Sequence, residues 1–78
     1  MNVFNEKNQR HGYWEEYFSD DTLWYKGNYI NDKSVGYWEE YYMNGSLYCK
    51  GDYNYDEYLG YWEWYNIDGK LVLKEFYL

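Results

Sequence analysis

The heptad Gly12-Tyr13-Trp14-Glu15-Glu16-Tyr17-Phe18 returns as Gly36-Tyr37-Trp38-Glu39-Glu40-Tyr41-Tyr42 and again as Gly60-Tyr61-Trp62-Glu63-Trp64-Tyr65-Asn66, a period of 24 residues. Between the heptads Leu23, Leu47 and Leu71 align, as do Lys26, Lys50 and Lys74, and Tyr29, Tyr53 and Tyr77. At this period each unit is one supersecondary element that buries its apolar face only against its neighbours. The expectation is a single repeat domain over residues 1–78, with units at about 12–35, 36–59 and 60–78.

Within each unit the heptad leads to a turn pair and then an apolar-periodic run: Asp20-Asp21 before Leu23, Asn44-Gly45 before Leu47, Asp68-Gly69 before Leu71. Such pairs tolerate the positive φ of a two-residue type I′ turn, so each unit reads as a β-hairpin. With the pair as the loop, Ser19 faces Thr22, Tyr17 faces Trp24, Glu15 faces Lys26, Trp14 faces Gly27 and Gly12 faces Tyr29. Opposite charges then meet, and rings cover strand glycines.

Carried across the links near Asp32-Lys33 and Asp56-Glu57, this pairing gives three rows. One is Glu15, Lys26, Glu39, Lys50, Glu63 and Lys74, in which Glu39 touches both Lys26 and Lys50. Another is Trp14, Gly27, Trp38, Gly51 and Trp62, with Trp38 over Gly27 and Gly51. The third alternates Gly12, Tyr29, Gly36, Tyr53, Gly60 and Tyr77.

Successive side chains of a strand point to opposite sides. The tryptophan and glycine rows therefore share one face, here the tryptophan face, with Phe18, Leu23, Tyr42, Leu47 and Leu71. The Glu and Lys row lies on the other, the ladder face, between Tyr13, Tyr37 and Tyr61 on one side and Tyr17, Trp24, Tyr41, Tyr48 and Tyr65 on the other. Asn2 to Asn5 aligns with the end of a second strand and adds a short edge strand at residues 2–5. No segment has helical periodicity. The fold class is all-β, a single antiparallel meander sheet of about six strands, with the N-terminal edge as a seventh.

Tyr25-x-Gly27-x-Tyr29 followed by Gly36, then Gly45 and Tyr48, resembles the MORN repeat. Gly36 and Trp38, with Glu39-Glu40-Tyr41-Tyr42 and Asn44-Gly45 after them, look closer to the bacterial MORN-variant proteins known as YwqK-like antitoxins. The resemblance runs from about Gly12 to the end of the chain. It implies an elongated, curled antiparallel sheet used for protein contacts or self-association, and no shared catalytic residue. The chain departs from the MORN pattern at Asp32 and Asp56, and at Trp14, Trp38 and Trp62, where that family usually has Gly.

Composition narrows the function classes. A net charge of −7 repels nucleic acid and anionic lipid, both of which need clustered Lys and Arg, and suits a basic partner instead. One cysteine and one histidine can build neither an internal disulfide nor a tetrahedral zinc site, and no cofactor is expected. The first residues contain no apolar run for a signal peptide, and no stretch approaches the length of a membrane span. The expected location is the cytoplasm of a bacterium or phage-infected host, an AT-rich origin being suggested by abundant Asn, Lys and Tyr without Ala.

Catalysis finds little support. Glu16 and Glu40 share the tryptophan face two strands apart, roughly 9.5 Å by strand spacing, a separation that suits an inverting glycosidase. A flat sheet supplies no cleft to raise one pKa, and Trp64 replaces the carboxylate in the third unit. Cys49 lies between Glu40 and Trp64, where a thiol is held protonated, and reads as a small filler.

The expectation is therefore a protein-binding module rather than an enzyme. A small acidic, tyrosine-rich chain is suited to a stoichiometric inhibitor that occupies a basic surface of a partner protein, as antitoxins and phage-encoded anti-CRISPR proteins do. Its expected contact residues are Tyr13, Tyr37, Tyr61, Asp52, Glu39 and Tyr41. A non-inhibitory scaffold or oligomerisation module is the alternative, and carbohydrate or lipid binding a more distant one. Val72, Leu73, Phe76 and Leu78 make the C-terminal strand apolar, so a homodimer through that strand is also expected, with Lys70, Lys74 and Glu75 as edge charges that would keep the chain monomeric as the alternative.

Overall fold

The computed structural model describes residues 2–78. Its seven strands are β1 Val3–Phe4, β2 Arg10–Tyr17, β3 Leu23–Ile30, β4 Lys33–Tyr41, β5 Leu47–Asn54, β6 Glu57–Tyr65 and β7 Leu71–Tyr77. They form one antiparallel sheet in strict sequence order, the expected meander with its N-terminal edge. The extents are 41 × 36 × 11 Å, so the sheet is a single layer. No helix among the described residues is long and apolar enough to cross a membrane.

The buried hydrophobic side chains are Trp14, Tyr29, Trp38, Cys49 and Trp62, and their register puts all five on the tryptophan face. The indole of Trp38 lies over Gly27, and that of Trp62 over Gly51. Each tryptophan thus fills the space left by the glycine of the preceding strand, whereas the sequence suggested that Trp38 would cover both neighbouring glycines. Gly51 takes the next indole because β4 and β6 each bulge where they meet the preceding strand. There Gly36, Tyr37 and Trp38 stand opposite Gly27 alone, and Gly60, Tyr61 and Trp62 opposite Gly51 alone. Gly36 and Gly60, at φ 70° and 71°, supply the left-handed backbone that such a bulge requires.

The bulges break the third expected row. Gly12 pairs with Tyr29, and Gly36 with Tyr53, but Tyr29 faces Ser34 rather than Gly36, and Tyr53 faces Tyr58 rather than Gly60.

The turn types are exchanged relative to expectation. The hairpin tips are three-residue loops in which Tyr42 N donates to Ser46 O and Gly45 N to Tyr42 O, repeated at Phe18 and Asn66. Only the third loop residue is left-handed: Asp21 at φ 70°, Gly45 and Gly69 at 89°. That is a type I turn closed by a G1 bulge. Tyr17 consequently pairs with Leu23, not Trp24, while Glu16 pairs with Tyr25. Trp24 is the extra residue of a second bulge, which restores the expected pairing of Glu15 with Lys26. It turns toward the tip, where its ring stacks on Phe18 at 5.7 Å.

The two-residue type I′ turns lie instead at the links. Asn31 and Asp32 have φ 49° and 69°, Tyr55 and Asp56 have 48° and 70°. Asp32 N donates to Arg10 O while its carboxylate accepts from Arg10 N at 2.8 Å. Asp56 N donates to Ser34 O, and its carboxylate accepts from Ser34 N at 2.7 Å. Each link turn is thereby fastened to the start of the first strand of the hairpin it follows, β2 or β4, which holds an aspartate in a conformation that costs most side chains free energy.

The two edges differ. At the N-terminal edge the Asn2 side chain donates to Glu15 O and accepts from Glu15 N, filling the place of a peptide group beyond β1. At the other edge, β7 exposes Leu71, Val72, Leu73 and Phe76, each between 46% and 61% accessible.

Candidate functional site

On the ladder face the glutamates are held by tyrosines of their own strand. Glu15 accepts from Tyr13 and Tyr17, Glu39 from Tyr37 at 2.6 Å and from Tyr41, and Glu63 from Tyr65 at 2.6 Å. These residues alternate along the strand, so residues two apart share a face and the hydroxyls reach the carboxylate between them. The hydrogen bond to Glu15 pushes the Tyr13 phenol up to about 12. Burial works against the charged form of Glu39, but the Tyr37 and Tyr41 hydroxyls and the Lys26 ammonium outweigh it and hold this carboxyl below its ordinary 4.5.

The charge ladder is discontinuous. Lys26 pairs with Glu39 at 3.4 Å, and Lys50 and Lys74 pair with Glu63 at 3.6 and 3.7 Å. Glu63, rather than Glu39, is the carboxylate bridged on both sides among the described residues. Glu39 pairs with Lys26 through Oε1, the oxygen that also accepts from Tyr41.

Of the expected contact residues, the structure brings Tyr37, Asp52 and Tyr61 together around an open groove of about 230 Å³ floored by Gly51. Glu39 adjoins it by accepting from Tyr37, and Tyr41 by donating to Glu39 in turn, while Tyr13 stands two strands away in β2. Tyr61 packs on Phe76 at 4.7 Å and carries the Lys74 ammonium 4.8 Å above its ring. This face sets Glu15, Glu39, Asp52, Glu57 and Glu63 against Lys26, Lys33, Lys50 and Lys74, close to neutrality.

A larger groove of about 380 Å³ opens on the tryptophan face, lined by Arg10, Tyr25, Tyr29, Asp32, Ser34, Trp38, Glu40, Tyr53 and Asp56. Trp38 lies between Tyr29 and Tyr53, whose rings stand at 79° and 85° to the indole plane with centroids 5.0 and 5.8 Å away. The indole N–H is satisfied by the carbonyls of Asn28 and Val35, both at 3.2 Å. Arg10 sits at one end, its guanidinium carbon 4.1 Å from the Tyr29 ring centre. Its Nη1 donates to the Tyr29 hydroxyl and its Nε to Asp32, each at 2.8 Å.

Two residues weighed for chemistry are occupied structurally. Glu16 accepts from the Trp14 indole at 2.8 Å, and Glu40 from the Cys49 thiol at 3.5 Å. Burial, then the Glu40 charge, pushes the Cys49 thiol up, so it stays protonated. No three His, Cys, Asp or Glu side chains converge as metal ligands among the described residues.

Sequence reasoning missed the larger groove. It follows from positions 10, 34 and 58, which are equivalent in the repeat but hold Arg10, Ser34 and Tyr58. The signal in the sequence is that this position differs more in side-chain size between units than the recurring ones do.

Comparison of the chain with protein-family models, curated proteins and solved structures gives no match.

Proposed function

We propose that this chain is a protein-binding module that occupies a basic surface of a partner protein in the cytoplasm, as a stoichiometric inhibitor of the antitoxin or phage anti-defence type. The observation that carries this reading is a sheet one layer thick that sets grooves lined by rings and carboxylates on both faces. Aromatic side chains give large contact area at low entropic cost, and carboxylates steer a basic partner toward it. The resemblance to MORN-variant antitoxins points the same way.

Charge distribution favours the tryptophan face. There Glu16, Glu40 and Glu75 oppose Arg10 alone, and Asp20, Asp21, Asp32, Asp56 and Asp68 lie in the turns. The ladder face contributes the tyrosine surface of Tyr13, Tyr37 and Tyr61. Capture of the partner from host lysate on the tagged chain, followed by titration, tests the reading. The expected result is a one-to-one complex with an association rate that falls as salt rises and with loss of the partner's activity at equimolar chain. Recovery of the chain alone would reject it. A scaffold reading would then be preferred, for which the exposed apolar side chains of β7 are the favouring observation.

A further inference from the structure

The three units treat one position differently. In the first, Arg10 covers the ring of Tyr29 at 4.1 Å. In the third, Tyr58 covers the ring of Tyr77 at 4.9 Å. In the second, the equivalent pair is Ser34 and Tyr53; Tyr58 of the next strand stacks on one side of the Tyr53 ring at 5.6 Å, and Ser34 is too short to cover the other. The groove on the tryptophan face opens at this gap, with Trp38 between the upright rings of Tyr29 and Tyr53.

The polar groups match as well. In the first unit Asp32 accepts both the Arg10 amide and its Nε. In the second, Asp56 Oδ1 accepts the Ser34 amide and hydroxyl, both at 2.7 Å. Asp56 accepts both through Oδ1, and Glu40 accepts the Cys49 thiol through Oε2, so the other oxygen of each carboxylate is the one offered to a ligand. Three carboxylates, of Asp32, Glu40 and Asp56, line the groove against the single guanidinium of Arg10.

We propose that the gap at Ser34 is a seat for an arginine side chain of the partner, which takes in the second unit the place that Arg10 takes in the first. The guanidinium lies against the side of the Tyr53 ring that Tyr58 leaves open and donates to Asp56 and Glu40. A planar fork with several donors suits rings bordered by carboxylates better than an ammonium does. This rests on the reading of the chain as a binder of basic proteins and specifies which side chain it recognises.

The test is a titration of the whole chain with a glycine-flanked arginine peptide, and with its lysine and trimethyllysine counterparts, followed by two-dimensional NMR. The expected result is saturable shifts of the Trp38 indole N–H and the Ser34 amide with the arginine peptide, and affinity at least about tenfold weaker for the other two. Ser34→Arg copies the first unit, fills the seat from within and should abolish those shifts with the remaining spectrum preserved. If that variant does not fold, Ser34→Tyr, which copies the third unit, serves the same purpose.

Equal response of the filled variant, or stronger binding of either lysine peptide, would overturn the seat. Shifts centred on Tyr37 and Asp52 would also overturn it while leaving a basic partner on the ladder face. No shift at any residue would remove the seat, and partner capture would then judge the broader reading separately.

Discussion

The indole of Trp38 lies so close over Gly27 that a Cβ on this glycine would stand less than 3.0 Å from three ring atoms, and Trp62 bears the same relation to Gly51. A tryptophan and the glycine of the preceding strand therefore form one packing unit. Gly27→Ala and Gly51→Ala are each expected to destabilise by about 1–3 kcal/mol, as overpacking does. Urea unfolding checks this. Wild-type stability in either variant would mean that the rings can lift away without loss.

Tyr55 occupies a left-handed conformation at φ 48°, the place taken by Asn31 in the first unit. A bulky side chain there is strained, whereas Asn visits the region readily. Tyr55→Asn is expected to raise stability by about 1 kcal/mol, since the Tyr55 ring is half exposed and gives up little packing. A lower melting temperature would show that the ring has a contact worth more than the strain.

Alkaline pH should loosen the ladder face. Tyr13 rises from 10.0 to about 12 through its hydrogen bond to Glu15, and burial followed by the hydrogen bond to Glu39 raises Tyr37 and Tyr41 as well. An acid whose folded pKa exceeds its unfolded value contributes stability that is complete below the unfolded pKa and disappears as pH rises through the folded one. Stability should thus hold up to pH 10 and fall between 10 and about 12. The fall should shrink in Tyr13→Phe. A profile that stays level across this window would contradict the assignment.

Self-association is expected through β7, whose outer edge is unpaired among the described residues and whose Val72, Leu73, Phe76 and Leu78 are exposed. Light scattering at micromolar concentration should give twice the monomer mass of 9.8 kDa. Val72→Lys with Phe76→Lys should return it to monomer, because edge charges block strand addition. A monomeric wild type would end this expectation.

For the partner complex, Tyr37→Ala is expected to cost about 2 kcal/mol or more if the ladder face is the contact, with circular dichroism unchanged. Unaltered affinity for the Ala variants of both Tyr37 and Tyr61 would assign binding to the tryptophan face.

The sheet, its strand order and the central register were legible because Glu15 opposite Lys26 and Trp14 opposite Gly27 recur at a fixed period. The turns were not. Asn44-Gly45 has the composition of a type I′ pair yet closes a three-residue loop, while Tyr55-Asp56, a poor type I′ pair, adopts that turn. The difference lies in contacts distant in sequence: Asp56 is fixed by Ser34 on the neighbouring strand, which local propensity does not register. The loop bulge and the Trp24 bulge offset each other, so a wrong loop length still led to the right ladder. The gap at Ser34 escaped notice because it is defined by the side chain missing there.

The contact of Asn2 with Glu15 has a consequence for assembly. An amide side chain posing as a peptide satisfies Glu15 of β2 just beyond β1, so the N-terminal border offers an incoming strand only the two residues of β1, and β7, with seven, is the long open side. An object with one such side joins a second copy about a two-fold axis and is then complete. Growth into fibres needs two, so a pair formed through β7 is expected to stop at two copies, and Asn2→Ala, which frees the peptide groups of Glu15, is expected to let larger species form.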